Sequence, residues 1–93
     1  MPVSVLDGSD RAVVTLDGRD VVLFRVEGRI HAFENRCPHE GNPLSEGEIL
    51  GPTLVCVFHS WRFDLETGAC LQGDLPATRF DTRIEDDQIL IAL

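Results

Sequence analysis

Cys37-Pro38-His39 and Cys56-Val57-Phe58-His59, separated by sixteen residues, decide how this chain is read. The order is Cys-x-His, a long gap, then Cys-x-x-His, so each short segment carries one soft thiolate donor and one imidazole. A thiolate is soft and strongly donating and a neutral imidazole donates less charge, a pairing that suits iron or zinc. A single loop of either kind cannot surround a metal centre, so two loops must face each other. Structural zinc sites also use two Cys and two His, but zinc fingers group Cys with Cys and His with His. Here each pair is mixed.

The residues around the four donors extend the pattern: Cys37-Pro38-His39-Glu40-Gly41, Pro43-Leu44-Ser45-Glu46-Gly47, His59-Ser60-Trp61-Arg62-Phe63-Asp64 and Thr67-Gly68. Together they resemble the Rieske family, whose proteins bind a 2Fe-2S cluster through two Cys on one iron and two His on the other. The motif resemblance runs from about Ala32 to the C-terminus, and the first thirty residues follow the family only in general pattern. It implies a Rieske 2Fe-2S cofactor with Cys37, His39, Cys56 and His59 as metal ligands. It also implies one-electron transfer, because imidazole donates less charge than thiolate and makes its iron the one that is reduced. Zinc, or a vestigial site holding no metal, stays open as the alternative.

Departures from the respiratory, quinol-oxidising branch of the family refine the expectation. That branch braces its ligand loops with a disulfide; Asn42 and Phe58 stand at the corresponding positions. It also places Ser and Tyr hydroxyls after the second ligand His, where they hydrogen-bond to sulfur and raise the potential. Trp61 and Phe63 stand there instead. Rieske potentials span about −150 to +300 mV, and the missing donors point to the lower end. The chain thus resembles the soluble Rieske-type ferredoxins of bacterial oxygenase systems. That likeness implies a relay from an NAD(P)H-dependent flavin reductase to a terminal oxygenase, both met transiently. A Rieske-like small subunit of a nitrite reductase or another redox enzyme is the runner-up. Catalysis by the chain alone is not expected, since a substrate-activating iron site occupies a separate, larger domain in oxygenases.

Composition agrees with a small carrier. Ninety-three residues, 43% of them hydrophobic, make one domain over 1–93, with a cluster-binding part at about 35–77. A domain this small gains only marginal stability from its core, so a metal centre contributes heavily. Eight arginines, no lysine and sixteen acidic residues give a net charge of −8, which makes nucleic acid an improbable partner. Residues 34–77 hold seven carboxylates against two arginines. These either steer a basic patch on a partner or merely solubilise the surface. No run of eighteen apolar residues occurs, and Met1-Pro2-Val3-Ser4 opens without a basic region or an apolar stretch. A cytoplasmic monomer without a membrane anchor is the expectation.

The periodicity is that of strands. Ala12-Val13-Val14-Thr15-Leu16 and Val21-Val22-Leu23-Phe24-Arg25-Val26 flank Asp17-Gly18, a strong hairpin signal. Further strands are expected at Ile30-His31-Ala32-Phe33, Thr53-Leu54-Val55-Cys56-Val57-Phe58, Trp61-Arg62-Phe63-Asp64, Ala69-Cys70-Leu71, Arg79-Phe80-Asp81-Thr82-Arg83-Ile84 and Gln88-Ile89-Leu90-Ile91-Ala92-Leu93. No segment carries sustained helical periodicity. The fold class is therefore all-β, an antiparallel sandwich or barrel, with a small cluster-binding subdomain of two ligand loops and, by the resemblance, a covering loop at Gly73-Asp74-Leu75-Pro76-Ala77. Cys70 reads as a small buried thiol, His31 as a surface or packing residue and Trp61 as a packing residue. Gly41, Gly47 and Gly51 read as permitting tight loop backbone.

Overall fold

The computed structural model describes residues 1–38, 41–56, 61–73 and 75–93. Three two-residue turns shape most of it. Asp17-Gly18 joins β1 (Arg11–Leu16) to β2 (Arg19–Val26), Glu27-Gly28 joins β2 to β3 (Arg29–Glu34), and Asp86-Asp87 joins β7 (Arg79–Glu85) to β8 (Gln88–Ala92). Both residues of every turn have positive φ, between 50° and 78°. That is the type I′ geometry whose twist matches the flanking strands, and Gly and Asp tolerate it best. Two of these turns end on glycine, which explains why the hairpins are so plainly marked in the sequence.

The five strands β1-β2-β3-β7-β8 form one antiparallel sheet in that order. At its centre Val21, Val22, Leu23 and Phe24 are all fully buried, so β2 is covered on both faces. Alternation sends Val21 and Leu23 into a core with Leu6, Ala32, Phe80 and Ile89; Val22 and Phe24 enter a second core with Phe33, Leu44, Leu54, Phe63, Leu65 and Ala77. Ala12, Val14 and Leu16 from one edge of the sheet pack on the same core as Ile91 from the other, so the sheet curls on itself. The N-terminal segment closes the seam. Ile89 N–H donates to the Met1 carbonyl at 2.6 Å, Val3 N–H donates to Asp87, and the 3₁₀ turn Val3–Leu6 buries Leu6 completely. Full burial of such a side chain contributes about 1.5–3 kcal/mol.

A second sheet, β4 (Glu48–Leu50), β5 (Thr53–Val55) and β6 (Arg62–Asp64), packs Leu54 and Phe63 onto the Phe24 and Phe33 side of the large sheet. Strand β4 was not anticipated, being three residues between Gly47 and the Gly51-Pro52 turn. The strand expected over residues 69–71 is reduced to an isolated bridge between Cys70 and Phe63. Asp64 N–H donates to Ala69 and Leu71 N–H donates to Arg62, but the Arg62 amide turns to the Gln72 side-chain oxygen at 2.8 Å, which ends the ladder. The all-β antiparallel expectation holds, with no α-helix among the described residues.

Candidate metal centre

Cys37 lies three residues beyond β3 and Cys56 directly follows β5. Phe33 and Leu54 anchor those strands in the core shared by the two sheets, and both thiols end up in that same core, each 1% exposed. The two cysteine loops close in the same way. Cys37 N–H donates to the Asn42 carbonyl at 2.7 Å, and Cys56 N–H donates to the Trp61 carbonyl at 2.8 Å, five residues on in each case. Gly41 N–H donates back to the Cys37 carbonyl, and Gly41 meets the turn with φ of 76°. His39 and Glu40 fall between Cys37 and Asn42 in sequence, and Phe58 and His59 between Cys56 and Trp61; these four and Asp74 lie outside the described residues.

The first loop is held further by Asn35. Its backbone N–H donates to the Asp20 carbonyl, and its side-chain oxygen accepts from Ser45 N–H at 2.8 Å, in the middle of the 3₁₀ turn Leu44–Glu46. Beside the second loop, the half-buried Trp61 packs on the same core as expected, and its ring lies over Gly73, where a Cβ would approach to 3.2 Å. The putting of Trp61 on Gly73 ties the second cysteine loop to the segment expected to cover the site. In that segment Pro76 is exposed, and Ala77, whose N–H donates to the Gly68 carbonyl, is the residue that enters the core. Cys70 is only half-buried at the core's edge, a correction to the buried thiol expected, because its bridge to Phe63 leaves it flanked by exposed Ala69 and Leu71.

His31 is buried, 4% exposed, and its Nδ1 has no hydrogen-bond partner. Burial pushes its pKa down; Glu66 opposes this, while Arg79 and Arg29 add to it. The imidazole is therefore held neutral, packed where β3 meets Leu65 and Glu66. It is a packing residue, as the sequence suggested.

Two thiols from separate loops, enclosed in one apolar core, are the soft half of an iron-sulfur donor set, and the residues present fit such a centre. Residues 1–83 match the Rieske [2Fe-2S] domain model. This chain belongs to the Rieske [2Fe-2S] domain family. Over 93 residues it is 34% identical to the ferredoxin component of the naphthalene 1,2-dioxygenase system of Pseudomonas putida, covering 96% of this chain and 86% of that one. Over 48 residues it is 52% identical to the 4β-methylsterol monooxygenase of Methylococcus capsulatus, half of this chain but 13% of that much longer protein. Among solved structures, the ferredoxin of carbazole 1,9a-dioxygenase from Nocardioides aromaticivorans superposes with a TM-score of 0.85 at 27% identity, covering 99% of this chain and 92% of that one. The Rieske assignment makes a 2Fe-2S cluster the cofactor.

Proposed function

We propose that the protein is a one-electron carrier that relays electrons from an NAD(P)H-dependent flavin reductase to a terminal oxygenase, with Cys37 and Cys56 on one iron and His39 and His59 on the other. The observation that carries this reading is the placement of both thiols in one core by two loops of matching closure. When bound, a Rieske cluster accepts and returns a single electron. The chain's own part is to hold and shield it. Cys37 and Cys56 supply thiolates from positions buried in the core, and loops closed on backbone amides resist the rearrangement that a change of charge would otherwise drive. The naphthalene and carbazole relatives are named as ferredoxins of dioxygenase systems, which supports the same place for this chain. No helix is long and apolar enough to cross a membrane among the described residues. We place the carrier in the cytoplasm, without catalysis of its own.

The potential we propose is low. Phe63 is fully buried and has no hydroxyl, and Trp61 has none either, so neither offers an O–H to cluster sulfur. The test of the reading is metal and acid-labile sulfide analysis of anaerobically purified protein, with Cys56→Ser alongside. Equal iron and sulfide in the parent, lost in the variant, is the expected result. Zinc in place of iron, or iron retained by the variant, would overturn it.

A further inference from the structure

Arg11 is the first residue of β1, yet its side chain reaches across to the smaller sheet. Its Nη1 donates to the Ser45 carbonyl at 2.9 Å and to the Gly47 carbonyl at 2.5 Å. Its Nε and Nη2 donate to the Asp10 carboxylate at 2.9 and 3.2 Å, and its guanidinium lies 5.0 Å from the centroid of the buried Phe24 ring. The hydrogen bond from Arg11 holds the Asp10 carboxyl below the usual carboxylate range. Every part of the fork is used. Hydrogen bonds from a charged donor are about twice as strong as neutral ones, and a ring face beneath the plane adds to them.

The turn that Arg11 grips stands between the two cysteine segments. On the first side, Asn42 accepts from Cys37 N–H and Asn35 accepts from Ser45 N–H. On the second side, Gly47 is seated so closely on β5 that a Cβ there would lie 2.5 Å from the Val55 carbonyl, and Val55 is the residue before Cys56. Leu44 and Leu54, both fully buried, fill the core between them. The turn is thus fixed to both loops at once, and Arg11 ties it to β1 of the large sheet.

We infer that Arg11 is a positioning residue for the metal centre, setting the separation of the two cysteine loops through the Ser45 and Gly47 carbonyls. The inference rests on the carrier reading above. A planar guanidinium suits the task because one side chain must reach two carbonyls and a carboxylate while stacking on Phe24. Lysine offers a single ammonium point in its place.

The test compares parent, Arg11→Gln and Arg11→Lys proteins, each loaded with iron and sulfide. Iron release to an iron(II) chelator, the EPR spectrum of the reduced protein and the thermal midpoint are measured for each. Losing charge-assisted hydrogen bonds should speed iron release in Arg11→Gln by roughly tenfold or more at temperatures where both proteins stay folded. Its EPR g-values should shift or broaden, and Arg11→Lys should restore part of both. Asn35→Ala loosens the same turn from the other side, and its effect combined with Arg11→Gln should be non-additive. It also serves if Arg11→Gln fails to accumulate. Unchanged iron release and EPR, or release that rises only in step with a lower thermal midpoint, would overturn the inference while leaving the carrier reading standing. A parent protein that takes up no iron and sulfide would bring down the carrier reading first.

Discussion

Phe63 and His31 show how single side chains set different properties. Phe63 sits fully buried in the core that holds both cysteines, on the strand just after the second cysteine loop. Phe63→Tyr places a hydroxyl where the quinol-oxidising branch, by resemblance, has one. We expect the midpoint potential to rise relative to the parent, as measured by film voltammetry, because a donor to sulfur stabilises the reduced cluster. An unchanged potential would mean that the hydroxyl does not reach sulfur. His31 affects stability. Its folded pKa is lowered by burial, so folding favours the neutral ring. Its contribution is fully present above the unfolded value of about 6.5 and is lost as pH falls through the folded value. Urea unfolding between about pH 8 and pH 5 should show stability falling on the acid side, with a shallower fall in His31→Gln. Equal slopes would remove His31 from the acid sensitivity of the fold.

At the scale of elements, the turns and close approaches do most to position the site. Gly47 has an ordinary negative φ, so its role is space rather than backbone freedom. A methyl group there would meet the Val55 carbonyl at 2.5 Å and the Leu44 carbonyl at 3.1 Å. We expect Gly47→Ala to cost about 1–3 kcal/mol, in line with overpacking elsewhere, and to lower the thermal midpoint by about 4–8 °C per kcal/mol. A calorimetric midpoint within a degree of the parent would contradict this. Elements of this size differ in how far they are legible in sequence. The β1-β2 hairpin announces itself through Asp17-Gly18 between two apolar runs, and β7 through its alternation. Strand β4, the Leu44–Glu46 turn and the N-terminal strap are too short to develop a period. They exist because tertiary hydrogen bonds hold them, Arg11 on Ser45 and Gly47, and Met1 on Ile89. The four candidate ligands stand out in sequence because Cys and His are rare residue types set at close spacing, and of these the structure describes Cys37 and Cys56. Arg11 does not, because its partners are backbone carbonyls thirty-four and thirty-six residues away.

At the scale of the molecule, the curled sheet is a base that carries the smaller sheet, and the smaller sheet carries one cysteine while β3 of the base carries the other. Both thiols therefore depend on how the two sheets are docked, which is where Phe24, Phe33, Leu54 and Phe63 pack together. Phe24 and Phe33 meet edge to face with ring centroids 6.3 Å apart. Cys37 and Cys56 are thereby held on one packed frame. The most direct measurement is film voltammetry of the loaded protein from about pH 5 to 10. We predict a single one-electron wave near about −150 mV, flat across neutral pH. A wave well above zero would contradict the low-potential carrier, and no wave from metal-loaded protein would contradict electron carriage itself.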